Sequence, residues 1–190
     1  MNRQSDAGFT LIDTLITVTV LAILMGIAAP TMRDLTSGMR LGQGGREVER
    51  ELQTARLKAV TANRPIRLRF NCPVAGQYRM VELIGSPAVP TANDSAANRC
   101  QDTVYPYPNT DMDPLTRPNH DGPVRTLHNT LSFGAASNLE FWPDGTVHQQ
   151  SGATNPWPAV ASTGTAVTVT NGTTVKTISV NGLGKIQLQQ

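Results

Sequence analysis

The sequence predicts an α+β protein. One long N-terminal helix, membrane-spanning at first and amphipathic beyond, packs on an antiparallel β-sheet head. Three observations carry this prediction. An almost unbroken apolar run extends from Phe9 to Ala29 and is closed by Pro30. Beyond it, Leu41, Val48, Leu52, Ala55 and Ala59 recur at helical spacing. After Pro65 the pattern changes to period two, in short β-branched and aromatic runs punctuated by Asn, Gly, Pro and Asp.

The apolar run is about twenty residues long, and at ~1.5 Å per residue it reaches across a hydrocarbon core of roughly 30 Å. Residues 1–8 in front of it are polar and end in Gly8. A secretory signal has a shorter apolar core with its cleavage site behind it, so residues 9–30 read as one membrane span. Asp13 is the one ionisable residue inside it. A charge at the centre of a span costs ~2.5–3.5 kcal/mol on insertion scales and calls for a partner. No Lys or Arg lies between Phe9 and Pro30. Asp13 is therefore either an acid tolerated near the interface or one met by a cation from another chain. Arg3 alone precedes the run, whereas Arg33, Arg40, Arg46 and Arg50 follow Pro30. Charge counting by itself would place the N-terminus outside.

Residues 31–63 continue as amphipathic helix, with Pro30 expected to kink the junction. Gly38, Gly42, Gly44 and Gly45 weaken the first half, since each costs up to ~1 kcal/mol relative to Ala. A bend or loose turn is expected near Gly44-Gly45, and firm helix from Glu47 to Asn63. Residues 65–190 form the β-rich part. Ile66, Leu68 and Phe70 alternate with Arg67 and Arg69, the period of a half-buried strand, and Tyr78 to Ile84 reads as its hairpin partner. Residues 85–125 hold seven prolines and few large apolar residues, which predicts an irregular loop. Strands return at Leu131–Phe133 and around the turn Pro143-Asp144-Gly145. Ala166–Thr170 and Thr173–Val180 flank Asn171-Gly172, a strong hairpin signal, and Asn181-Gly182 leads into a last strand, Lys185–Leu188.

About 160 residues beyond the span suffice for one modest head domain. The net charge is +2, but residues 33–69 alone hold nine Arg and Lys against four Asp and Glu. His120, His128 and His148 are far apart, and Asp111 and Asp113 beside Pro114 read as solvated loop residues. No metal-ligand spacing, phosphate loop or nucleophile motif is present. The sequence predicts no enzyme, no cofactor and no metal.

Polar leader, Gly8-Phe9, Asp13 five residues into the chain that begins at Phe9, a long apolar helix and Pro30 together resemble the N-terminus of type IV pilin-like proteins. Ala55-Arg56, Ala59 and Asn63, and the Phe141-x-Pro143-Asp144-Gly145 element, resemble the GspH/FimT family within them. The resemblance is specific over 8–30, moderate over 47–70 and 139–147, and absent over 85–125. It implies cleavage between Gly8 and Phe9 by a prepilin peptidase and N-methylation of Phe9. It implies that residues 1–8 are cytoplasmic and the head, 31–190, periplasmic, on a single-pass inner-membrane protein. Asp13 stands where the family normally has Glu, and there meets the N-terminal amine of a neighbouring subunit. Partners implied are other pilin-like subunits and an inner-membrane assembly platform.

With the head exported, Cys72 and Cys100 are expected to pair; the alternative is two free thiols. A bond would close a loop of about 29 residues and stabilise by ~3.5 kcal/mol in the chain-entropy model. The function implied is that of a minor pseudopilin of type II secretion. The alternative is a minor pilin of a type IV pilus, FimU- or FimT-like, with a possible role in DNA uptake. Family members that bind DNA carry Gly-Arg-x-Arg. Here the matching place reads Gly184-Lys185-Ile186-Gln187, which leaves Lys185 as the one matching cation and does not favour nucleic acid as a partner.

Overall fold

The computed structural model describes residues 10–109 and 120–189, without the side chains of residues 30 and 31. Gly8 and Phe9, with the rest of the leader, and Asp111 and Asp113 lie outside the described residues. Two compact units divide the chain, one ending at Met39 and the other beginning at Arg40. Helix α1 runs from Leu11 to Ala62. Every side chain from Thr10 to Ala29 is exposed, and this part of α1 is long and apolar enough to cross a membrane.

Within the second unit, α1 contributes Leu41, Val48, Leu52, Ala55 and Ala59 to the core, each at most 1% exposed. These are the five positions that the helical period marks. The expected break at Gly44-Gly45 is absent, because both glycines are buried helix. A Cβ at Gly44 would stand 2.6 Å from Leu131 Cδ1, and one at Gly45 would stand 3.1 Å from Leu188 Cδ1. The glycines let the head pack against the helix backbone, and that packing offsets their poor helix propensity.

Two antiparallel sheets complete the head. The first has strand order β3-β2-β1-β5-β6, from Arg125–Thr126, Gln77–Glu82, Ile66–Phe70, Leu139–Phe141 and Val147–Gln149. The second has order β4-β7-β8-β9, from Ser132–Phe133, Thr165–Thr170, Val175–Val180 and Ile186–Leu188. Their inner faces, with Ile66, Leu68, Phe141, Val167, Val169, Ile178 and Val180, share one core with α1. Phe133 adds edge-to-face contacts with Phe70 and Tyr78 at 5.0 and 5.6 Å.

The β7–β8 turn differs from expectation. Thr173 and Thr174 belong to the turn, because Asn171 Oδ1 accepts their backbone N–H groups at 3.1 and 2.8 Å, and Thr170 pairs with Val175. The 85–125 stretch is largely irregular, as expected, but it includes a short helix α2, Ala92–Ser95, and a 3-10 turn, Ala97–Cys100. Asp94 holds its start by accepting from the amides of Ile84, Gly85 and Thr91 at 2.7–3.0 Å.

The strand β1 is also more deeply placed than a half-buried pattern suggests. Arg67 is 1% exposed on the face opposite the core. Its Nε donates to Glu140 Oε2 at 2.6 Å, Trp142 Nε1 donates to Glu140 Oε1 at 2.6 Å, and its guanidinium lies 4.1 Å over the Trp157 ring. The irregular stretch covers the same face. Arg99 pairs with Asp121 and donates to Glu82 O, while Arg79 donates to Gly122 O and Tyr105 O. Cys72 and Cys100 form a disulfide with a Cα–Cα distance of 5.6 Å, buried beside Val81.

Candidate functional site

Among the described residues no group of three His, Cys, Asp or Glu could hold a metal ion. Two surfaces among the described residues bring sequence-predicted site residues together with new neighbours. One lies at the start of α1, the other where the head's last strand runs beside the second half of the helix.

At the start of α1, Asp13 and Thr10 form a reciprocal cap. Asp13 Oδ2 accepts from the Thr10 backbone N at 3.1 Å and from the Thr10 hydroxyl at 2.7 Å, while the Asp13 amide donates to Thr10 Oγ1 at 3.4 Å. This is a capping box, which supplies partners to amides that a helix N-terminus otherwise leaves unmet. Thr10-x-x-Asp13, at the start of the apolar run, is its sequence signature. Asp13 is thus held within its own helix, and both residues remain exposed.

The second surface is a groove of about 380 Å³ lined by Gln53, Arg56, Leu57, Val60, Gly184, Lys185 and Ile186. Local chemistry fixes its rim. Asn181 Oδ1 accepts from the amides of Leu183 and Lys185 at 3.1 and 2.8 Å, which closes the turn before β9. Gly184 has φ +77°, a conformation that favours glycine. A Cβ there would also lie 2.2 Å from Arg56 Nε, so only glycine leaves the arginine its seat. Arg56 Nη2 donates to Leu183 O at 3.1 Å. Arg56 Nε is buried and has no hydrogen-bond partner. Among the described residues, no carboxylate forms an ion pair with Arg56 or Lys185.

Of the sequence-predicted residues, Lys185 therefore lies in a groove, Cys72 and Cys100 are joined, and Asp13 caps its helix. Pro30 lies within α1. Arg56, placed by the sequence only in a family-like segment, is the residue that the fold brings to Lys185.

The family model for the type II transport protein GspH matches residues 45–184. No curated protein matches the chain. Among solved structures, the type IV minor pilin FimU of Pseudomonas aeruginosa in space group P21 is similar at 17% identity and TM-score 0.47, covering 82% of this chain and 92% of that one. Its P65 crystal form is similar at 15% identity and TM-score 0.43, covering 79% and 93%.

Proposed function

The chain belongs to the family of the type II transport protein GspH, and from that premise we propose that it is a minor pseudopilin of a type II secretion system. It assembles through its N-terminal helix with other pilin-like subunits into a periplasmic filament. The observation that carries this reading is the join of a helix of span length, exposed from Thr10 to Ala29, to a head that matches the family model. Such an apolar surface is unstable in water and finds cover in lipid or among like helices. Residues 9–30 hold the subunit in the inner membrane after cleavage at Gly8–Phe9 and methylation of Phe9. The assembly platform then draws it into the filament. The buried disulfide suits an oxidising periplasm.

Asp13 has two oxygens and two duties in this scheme. Oδ2 takes both Thr10 bonds. Oδ1 is free to meet the Phe9 amine of an adjacent subunit, in surroundings where an ion pair is stronger than at a wet surface. Asp13→Ala is expected to leave membrane insertion intact, since a span without a charge is more apolar. It should lower crosslinking to neighbouring subunits and reduce secretion, and Asp13→Glu should restore both. Mass spectrometry of the membrane form should find methylated Phe9 at the N-terminus. Full crosslinking and secretion by Asp13→Ala would remove the pairing role. A loss of piliation with secretion unchanged would move the protein to a type IV pilus.

A further inference from the structure

The groove beside β9 is also an open sheet edge. Strand β9 is the last strand of its sheet and, among the described residues, pairs only with β8. Asn181 N donates to Lys185 O at 3.1 Å, Gln189 N donates to Thr177 O at 2.8 Å, and Ser179 stands opposite Gln187. The odd-numbered residues of β9 thus face β8. The alternation of an antiparallel ladder turns the backbone groups of Ile186 and Leu188 to the free edge. Glu49 Oε1 accepts from Leu188 N at 3.1 Å. The Ile186 amide and carbonyl and the Leu188 carbonyl face outward.

Apolar surface borders this edge: Leu57, Val60 and Leu183 are 64%, 48% and 75% exposed. The charges that line the groove have one sign. Arg56 and Lys185 line the groove with no acid among its lining residues. Of the two acids nearby, Glu49 sits at this same edge, neutralised in part by its bond from Leu188 N, and Asp144 is held by the Thr146 amide and hydroxyl at 2.9 and 2.6 Å.

We propose that this edge docks an extended segment of a partner protein, one that alternates apolar and acidic residues and adds to β9 as a further strand. Backbone pairing with Ile186 supplies the register, the apolar row covers Leu57 and Val60, and the acidic row meets Lys185 and Arg56. Two other occupants fit less well. A second copy of this edge would bring Lys185 against Lys185, and a charged edge strand is a known guard against self-pairing. A nucleic acid would use the two cations but leave the edge amide and the apolar side chains unused. The inference adds a partner surface to the filament reading and does not depend on it.

The test uses the full chain in detergent and a capped seven-residue peptide of alternating Val and Glu. Saturable binding with slowed hydrogen exchange at the Ile186 amide is expected. The same peptide N-methylated at alternate amides should not bind. Lys185→Glu should weaken the peptide about fivefold, the effect of one exposed ion pair, and should favour an alternating Val and Lys peptide instead. Unchanged exchange at Ile186 under saturating peptide would overturn the proposal, as would equal binding of the N-methylated peptide. Displacement of the peptide by a single-stranded oligonucleotide that itself slows Ile186 exchange would assign the groove to nucleic acid. Concentration-dependent protection of Ile186 without peptide would assign it to self-association.

Discussion

The two faces of the first sheet are both buried, and by opposite chemistry. The inner face presents Ile66, Leu68, Leu139 and Phe141, each fully buried against α1. The outer face presents Arg67, Arg79 and Glu140, buried almost as deeply. An apolar face needs only a complementary surface, and its gain follows the area removed from water. A charged face gains from burial only if each charge finds a partner there. The outer face meets that condition through named bonds: Arg67 with Glu140, Arg99 with Asp121, and Arg79 with two backbone carbonyls. Each guanidinium there has a carboxylate or carbonyl partner, although Arg67 Nη2, Arg79 Nη1 and Arg99 Nε have none of their own.

That contrast is tested by two adjacent residues on β5. Phe141→Ala should cost ~3–5 kcal/mol, the transfer loss plus a cavity in the core. Glu140→Ala should cost a similar ~3–5 kcal/mol although far less apolar surface is lost, because it strands Arg67 in a dry site. The two part company on rescue. Arg67→Met with Glu140→Leu should recover most of the Glu140→Ala loss, since a buried ion pair replaced by packed apolar groups is often neutral. No second substitution at the pair should recover Phe141→Ala. Urea unfolding of these variants, and of Phe141→Ala combined with the double substitution, measures this. A double variant as unstable as Glu140→Ala would mean that the outer face depends on more than charge pairing.

The disulfide should give the next largest effect, and one confined to the outer face. It ties Cys72, just beyond β1, to Cys100 in the covering stretch. Replacing both with Ser should cost ~3.5 kcal/mol if the chain-entropy account holds. Hydrogen exchange should quicken at the Arg99 and Gly122 amides while Leu68 and Phe141 stay protected. Equal loss of protection on both faces would show that the two layers unfold as one.

These results also bear on what the sequence could disclose. The inner face was legible because Ile66, Leu68 and Phe70 alternate, and because Val48, Leu52, Ala55 and Ala59 keep a helical period. Period two also put Arg67 and Arg69 on the other face, but alternation assigns a side and not its exposure. What covers that side is residues 84–109 and 120–124, with Trp157 over Arg67, and these stretches have no period of their own. The seat of Arg56 against Gly184 was hidden for a different reason. The residues are 128 positions apart, and a glycine needed for close approach looks like any turn glycine. The continuous helix at Gly44-Gly45 misled in the same way, because propensity describes an isolated helix and the packing of Leu131 and Leu188 overrides it. The Thr10-x-x-Asp13 cap was legible, but it lay inside a run read only for hydropathy.

The smallest expected effect concerns a buried carboxyl on the core side. Glu51 of α1 is 5% exposed, its Oε1 has no hydrogen-bond partner, and Arg125 Nε lies 3.6 Å from Oε2. Burial pushes its carboxyl above the ordinary value of 4.5, and the attraction of Arg125 offsets only part of that. The folded state therefore binds a proton at Glu51 more tightly than the unfolded chain does. Stability from this group is present below pH 4.5 and is lost as pH rises through the raised value. Glu51→Gln cannot ionise, so its stability relative to the parent should climb over that interval and then level off above the raised value. The climb cannot exceed ~1.4 kcal/mol per pH unit, the limit for one proton. Urea unfolding of both proteins from pH 4 to 7 reads the difference directly, with every other titrating group common to the two. A difference that stays flat across the range would show that Arg125 fully meets the buried carboxylate, and the inner face would then obey the same pairing rule as the outer.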